Sequence, residues 1–143
     1  MKHATQASFV STLAAVALLA GCATTQQQPA AASGKPEDIV RARAQERVDF
    51  VLNKNFDKAY PYLLPSYRAQ YDVNAWRNKF GTGAQWVNPK VSSVKCPESE
   101  RCEVEISLGM RVLMGGSGLK TFDTVMRETW LRRDGQWWYY QQP

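Results

Sequence analysis

Residues 101–112, RCEVEISLGMRV, alternate apolar and polar side chains without a break. Apolar side chains recur at every second position from Cys102 to Val112, whereas Glu103 and Glu105 fall between them. Successive side chains of a β-strand point to opposite faces of the sheet, so this spacing is typical of a strand with one buried and one solvent-facing side. The stretch predicts a sheet with a hydrophobic inner face.

Three neighbouring segments also have the composition of strands. The predicted strands cover residues 85–95, 101–113, 121–132 and 136–142. A bulge is expected near Pro89, because proline cannot donate to a strand ladder. Between the last two strands, Asp134-Gly135 is a strong signal for a two-residue hairpin turn. That turn would pair Arg133 with Gln136, Trp130 with Tyr139 and Glu128 with Gln141.

The register of the second and third strands is predicted from their charges. If Val112 lies opposite Phe122, then Arg111 lies opposite Asp123 on the outer face, and opposite charges stabilise such a pair. The same register places Ile106 opposite Glu128. The inner row of the third strand would then consist of Phe122, Thr124, Met126, Glu128 and Trp130.

Helices precede the strands. Pro36, Glu37 and Asp38 suit a first helical turn, and apolar residues then recur at helical spacing until residues 53–55 end the helix. A second helix is predicted over 56–64, stopped by Pro65, and a third over 73–80 with Asp72 as its cap. Helices followed by an antiparallel meander predict an α+β fold with the helices on one face of the sheet.

The N-terminus has the features of a secretory signal. Lys2 gives a positive start, and the apolar run of residues 9–20 is shorter than the ~20 residues that span a bilayer. Leu19-Ala20-Gly21-Cys22 resembles the lipobox of bacterial lipoproteins, which implies cleavage of residues 1–21 and acylation of Cys22. The alternative is an ordinary signal with an incidental cysteine. By the same resemblance, Ala23 implies sorting to the outer membrane, facing the periplasm, with residues 22–35 as a flexible tether.

Charge and residue usage exclude several function classes. Without the signal the chain has 17 basic and 13 acidic residues, scattered along its length, which does not suit nucleic acid as a partner. His3 is the only histidine and leaves with the signal, so histidine-based catalysis and the usual zinc sites are excluded. No cofactor or metal is expected. Cys96 and Cys102 predict a disulfide in an exported chain, rather than a metal site.

Residues 53–68, NKNFDKAYPYLLPSYR, resemble a segment common in nuclear transport factor 2-like domains, and the closing residues Trp130, Asp134, Gly135 and Trp137 fit small proteobacterial lipoproteins with this fold. The resemblance covers most of the chain after the tether and implies one domain over residues 36–143. It also implies a curved antiparallel sheet wrapped around the N-terminal helices to form a cone with an open mouth. The superfamily includes ketosteroid isomerases, polyketide cyclases and many non-enzymatic modules, so the fold does not select a function.

Glu128 is the candidate catalytic residue, since the predicted register places a carboxylate on the inner face among aromatic side chains. Burial would raise the pKa of an unpaired carboxylate and suit it to acid–base chemistry. The alternatives are an internal salt bridge to Arg68 or Arg77, or a position near the sheet edge that reaches water. The candidate pocket comprises Tyr60, Tyr67, Tyr71, Glu128, Trp130 and Tyr139.

The run Trp137-Trp138-Tyr139-Tyr140 is predicted to divide between the two faces of the last strand. Trp137 and Tyr139 would point inward, and Trp138 and Tyr140 outward. The outer pair would form an exposed patch beside Leu131 and Val125, or lie under a terminal segment of the chain.

The sequence favours a non-enzymatic binding or assembly module in the envelope, attached to the membrane through Cys22. Its partner would be another envelope protein or a small apolar ligand. The alternative is a small isomerase or dehydratase that uses Glu128.

Overall fold

Four helices, a short 3₁₀ turn and one antiparallel sheet make up the computed structural model, which describes residues 34–80 and 84–142. The helices are α1 (Pro36–Leu52), α2 (Phe56–Ala59), α3 (Pro65–Arg68) and α4 (Val73–Asn78), and the 3₁₀ turn covers Tyr60–Tyr62. The strands are β1 (Ala84–Glu98), β2 (Arg101–Met114), β3 (Gly118–Arg133) and β4 (Gln136–Tyr140), in the spatial order β1-β2-β3-β4. The α+β class and the helices-first order are therefore confirmed.

Helix α1 follows its sequence signals. Pro36 occupies the first turn, where its missing N–H is not needed, and Glu37 and Asp38 complement the positive end of the helix dipole. The buried face carries Val40, Ala44, Val48 and Val51. The helix ends at Leu52 with Asn53 as its C-cap, after which Lys54 adopts a φ of 57° and turns the chain towards α2.

The segment after α1 differs from the prediction because of its two prolines. The predicted helix over 56–64 is broken into α2 and the 3₁₀ turn, which contains Pro61. Pro65 does not simply stop a helix but begins α3, since proline suits the first helical position. Asp72 caps α4 as predicted, its side chain accepting a hydrogen bond of 2.8 Å from the Ala75 N–H.

The β3–β4 hairpin has the predicted turn and pairing. Asp134 and Gly135 have φ angles of 52° and 75°, and Arg133 pairs with Gln136. Trp130 pairs with Tyr139, also as predicted. The ladder ends one step earlier than expected, at Thr129 and Tyr140, so the predicted pair of Glu128 with Gln141 is wrong.

The β2–β3 register is shifted by two residues from the prediction. Met110 lies opposite Phe122, Gly109 rather than Arg111 lies opposite Asp123, and Val104 rather than Ile106 lies opposite Glu128. The tight turn closed by Met114 and Gly118 sets this register. A shift of two leaves every side chain on its predicted face, because the side-chain period of a strand is two.

The predicted bulge near Pro89 is confirmed. The β1–β2 pairing shifts between Val87 and Lys90, and Asn88 has a positive φ of 47°.

Two hydrophobic clusters form the core. The first lies between α1 and the sheet and contains Val48, Val104, Ile106 and Trp130. The second surrounds Trp76 and includes side chains from α2 to α4, together with Trp138. The segment between the 3₁₀ turn and α3 joins the sheet edge there, as the Leu64 N–H donates to the Tyr139 carbonyl oxygen at 3.1 Å.

The far end of the β2–β3 hairpin lies outside this core. The predicted inner row is buried at Glu128 and Trp130 only, whereas Thr124 is exposed and Phe122 is 51% exposed. The prediction fails there because no helix of the described residues covers that end of the hairpin. Of the alternatives for the outer pair of aromatics, the exposed patch is wrong for Trp138, which is buried in the second cluster, whereas Tyr140 is exposed.

The predicted signal (residues 1–21), Cys22 and nearly all of the tether lie outside the described residues. Within the described part of the chain, every helix is too short or too polar to cross a membrane.

Candidate ligand-binding pocket

Glu128 is held in a buried ion pair. Its side chain and that of Arg47 from α1 are 1% and 2% exposed, and Arg47 Nη2 donates to Glu128 Oε1. The second carboxylate oxygen accepts a hydrogen bond of 3.1 Å from Trp130 Nε1. Both oxygens of the candidate acid are therefore engaged. The predicted alternative of an internal salt bridge is confirmed, but its partner is Arg47 of α1 and not Arg68 or Arg77.

Arg47 itself is enclosed by the core. Its guanidinium carbon lies 4.2 Å from the centroid of the Tyr139 ring, a distance at which the ring face attracts a cation. Burial lowers the pKa of Arg47 to about 10, which still leaves the guanidinium charged at neutral pH. The pair is thus an internal Arg⁺–Glu⁻ contact.

The predicted tyrosines do not join Glu128 in a common pocket. Tyr60 donates to the backbone oxygens of Arg68 and Tyr71, and its pKa is raised by burial. Tyr67 and Tyr71 stack on each other with ring centroids 4.8 Å apart. Tyr139 packs on Trp130 with its hydroxyl bonded to Gln141 at 3.0 Å, and burial raises its pKa.

The six predicted pocket residues therefore divide between two parts of the core. Glu128 and Trp130 lie beside α1, Tyr60, Tyr67 and Tyr71 belong to the cluster around Trp76, and Tyr139 packs against both. None of the six lines any of three cavities that described residues form, at the end of α1, beside the Asn88 bulge and beside Glu103. The arrangement offers no free carboxylate beside a free hydroxyl.

A different pocket lies where α1, α2, α4 and β1 approach one another. Its volume is about 320 Å³, and its lining residues are Val51, Leu52, Lys54, Phe56, Phe80, Gln85 and Trp86. Three of these side chains are aromatic, and Phe80 contacts both Phe56 and Trp86 with centroid distances of 5.2 and 6.0 Å. Ligand pockets combine apolar and aromatic walls with polar groups that fix orientation, and this pocket presents apolar and polar surface in nearly equal parts.

Lys54 and Gln85 are the polar groups of this pocket, and both are exposed. Lys54 is placed by the end of α1: its N–H donates to the Val51 carbonyl at 3.0 Å, and the Asn55 N–H donates to that of Phe50 at 2.8 Å. These bonds satisfy carbonyls at the helix end and require the positive φ of Lys54. An ammonium group beside aromatic side chains suits a ligand that carries a negative or strongly accepting group.

Sequence reasoning missed this pocket because its walls come from the ends of four elements. Two signals were present. Lys54 has a positive φ, a conformation that asparagine and glycine adopt more readily than lysine. Trp86 fits neither the inner nor the outer face of a regularly alternating strand.

A second cavity and a disulfide lie away from this pocket. A cavity of about 440 Å³ lies on the outer face of the sheet beside the Asn88 bulge and includes Ser107, Thr121 and Asp123. In the part of the chain that the structure describes, acidic and cysteine side chains form no cluster suited to a metal ion. Cys96 and Cys102 are joined by a disulfide that links the end of β1 to the start of β2.

Comparisons with known proteins bear on the fold. No protein-family model and no curated protein sequence matches the chain. A solution structure of a SEC-C motif containing protein from Rhodopseudomonas palustris is similar, with a TM-score of 0.53, 18% identity, and coverage of 70% of this chain and 73% of that one. The CamKII hub homology domain of Chlamydamonas reinhardtii has a TM-score of 0.46 and 15% identity, over 72% of this chain and 92% of that one. At these identities the likeness concerns the fold alone.

Proposed function

We propose that the protein is a lipid-anchored envelope protein whose domain, residues 36–143, is a non-enzymatic binding module for a small apolar ligand. One contrast carries the proposal. The buried carboxylate is paired with Arg47 and accepts a hydrogen bond from Trp130, whereas the pocket beside Lys54 combines three aromatic side chains with exposed polar groups.

The location rests on the sequence. The lipobox-like Leu19-Ala20-Gly21-Cys22 and the following Ala23 support acylation of Cys22 and sorting to the outer membrane, on the periplasmic side. A lipid-anchored domain on a short tether is suited to presenting a pocket close to the membrane surface. The Cys96–Cys102 disulfide agrees with an oxidising compartment.

The finer fold is proposed as nuclear transport factor 2-like, with the helices in the concave side of a curved sheet. Its support is the order of helices before a four-stranded antiparallel meander, and the resemblance of residues 53–68 to that superfamily.

The isomerase or dehydratase alternative requires a carboxylate that a ligand can reach. Glu128 is 3% exposed and both of its oxygens accept hydrogen bonds within the core. No observation favours this alternative, so the binding module is the function that we propose.

Calorimetry with a charged and a neutral ligand tests the proposal. The full chain in phospholipid vesicles is titrated with 2-naphthoate and with the matching neutral amide, and protein-free vesicles supply the blank. Saturable binding of both ligands is expected. Lys54→Gln should weaken naphthoate binding several-fold, since an exposed charge pair contributes up to ~1 kcal/mol, and leave the amide unaffected.

Lys120→Gln is the matched control, because it removes the same charge from the exposed hairpin, away from the pocket. Absence of saturable binding above the blank would contradict the proposal. An equal loss of naphthoate affinity in both lysine variants would contradict the assigned pocket.

A further inference from the structure

Strand β3 has a long free edge. Strand β4 pairs only with Thr129–Arg133, so between Gly118 and Glu128 the side of β3 away from β2 has no strand partner among the described residues. An unprotected edge presents backbone N–H and C=O groups that readily pair with another strand.

The same stretch exposes large apolar side chains. Leu119 is 65% exposed, Phe122 51% and Val125 48%. Leu113, which lies opposite Leu119 on β2, is 75% exposed. These side chains belong to neither core cluster, and clustered exposed apolar side chains mark interaction surfaces.

We propose that a second copy of this chain pairs with this edge. Strand β3 of one copy lies antiparallel to β3 of the other about a two-fold axis, which joins the two four-stranded sheets into one continuous sheet of eight strands. An interface of this kind is isologous, so the edge must be complementary to itself.

Self-complementarity restricts the register. Side chains directly opposite each other must share a face, so one residue of β3 must lie opposite its own copy. The two-fold axis passes midway between these two copies, and each register is named below by the residue that the axis passes. The axis cannot pass through Thr124 or any later residue. In those registers the first residues of β3 in one copy would lie opposite Thr129 or a later residue of the other copy. That part of the edge is already paired with β4.

Charge excludes the next register. An axis through Asp123 would place the two Asp123 carboxylates directly opposite each other, and like charges in that position are destabilising. An axis through Phe122 avoids both the overlap with β4 and this repulsion.

The register centred on Phe122 places the exposed apolar residues of one copy opposite those of the other. The two Phe122 rings face each other on the inner side. On the outer side, Leu119 lies opposite Val125 of the second copy and extends the row begun by Leu113. Thr121 lies opposite Asp123 of the second copy, where its hydroxyl can donate to the carboxylate. A surface that complements itself in this way identifies the partner as another copy of the chain.

Disulfide cross-linking of the full chain tests the pairing. Phe122→Cys places two thiols across the axis with Cβ atoms about 5 Å apart, close to disulfide geometry. After mild oxidation in the expressing cells, most of this variant should migrate at twice the chain mass on a non-reducing gel. Phe122 is exposed in the single chain, so its replacement leaves the domain core intact.

Met110→Cys is the control, because Met110 lies opposite Phe122 on the same face of β2. Its counterpart in the second copy would lie three strand spacings away, about 14 Å, too far for a disulfide. Cross-linking that is absent from Phe122→Cys, or equal in both variants, would overturn the proposal. A product with a different protein, recognised by its mass, would overturn it as well.

Two further variants test the register with Phe122 in place. Cells that produce both Leu119→Cys and Val125→Cys chains should give a cross-linked dimer, and cells that produce either one alone should not. Cross-linking of either variant with itself, or its absence from the mixture, would overturn the register.

A charge variant tests the outer contact. Thr121→Asp in the Phe122→Cys chain places an aspartate opposite Asp123 of the second copy on each side of the axis, and should lower the dimer yield several-fold. Thr121→Asn, nearly equal in size but neutral, should retain the yield. Equal yields in the two variants would overturn the assignment.

Discussion

Glu128 and Arg47 are the residues on which the choice between binding and catalysis depends. Glu128→Gln should lower the free energy of unfolding by about 3–5 kcal/mol, because it leaves the Arg47 guanidinium buried without its counter-charge. Urea unfolding followed by circular dichroism measures the change. The matched control is Glu105→Gln, which removes a partner of exposed Arg127 and should cost under about 1 kcal/mol.

The Arg47–Glu128 ion pair also predicts that substitutions of its two members are not additive in their effect on the free energy of unfolding. Arg47→Met combined with Glu128→Leu should be less destabilised than Glu128→Gln alone, because replacing both members of a buried ion pair by apolar side chains is often close to neutral. A stability for Glu128→Gln equal to that of the unsubstituted chain would indicate that the carboxylate is not a structural partner of Arg47.

For individual residues, the sequence predicted which side chains are buried better than it predicted which side chains they contact. The alternation along β3 predicted that Glu128 lies on the inner face next to Trp130, and it does. Its partner could not be derived, because the choice among Arg47, Arg68 and Arg77 depends on how α1 is rotated against the sheet. Helical spacing identifies the apolar face of α1 but not that two arginines, Arg43 and Arg47, are enclosed within it.

Among the elements, the strands were predicted better than the short helices. All four strands were found, because alternation, the Asp134-Gly135 turn and the glycine-rich turn leave strong signals. The β2–β3 register was wrong by two residues, since the apolar and polar faces are unchanged by such a shift and only the closing turn distinguishes the two. Pro65 was read as a stop signal although it also suits a helix start.

The Cys96–Cys102 disulfide gives a prediction at the scale of the β1–β2 hairpin. Its removal by Cys96→Ala with Cys102→Ala should lower the free energy of unfolding by about 2 kcal/mol, the loop-entropy contribution of so short a loop. Chemical unfolding of the oxidised and the doubly substituted chains measures the difference. Two free thiols from these positions in the unreduced, denatured protein would contradict the bond.

For the whole molecule, the sequence predicted the fold class and a location but not the pocket. The pocket walls extend from Val51 to Trp86 and depend on how α1, α2, α4 and β1 meet, which no local pattern encodes. Residues of the predicted pocket were chosen by chemical type, but the Glu128 carboxylate and the Tyr60 hydroxyl are engaged in contacts within the fold.

The location gives a prediction of its own. Mass spectrometry of the mature protein should show an N-terminal Cys22 carrying acyl chains, because the lipobox-like segment directs cleavage before this residue. Cys22→Ser should leave the precursor uncut. A mature N-terminus downstream of Cys22 without acyl mass would contradict the proposed anchor.

The central claim is that ligands bind beside Lys54 and not at Glu128, and one comparison of dissociation constants tests it. Calorimetry of 2-naphthoate is carried out on Gln85→Trp, which fills the pocket from an exposed lining position, and on Glu128→Gln, at a temperature where circular dichroism shows both folded. We predict that Gln85→Trp abolishes binding while Glu128→Gln binds with the dissociation constant of the unsubstituted chain. Binding that survives in Gln85→Trp and is lost in Glu128→Gln would contradict the account.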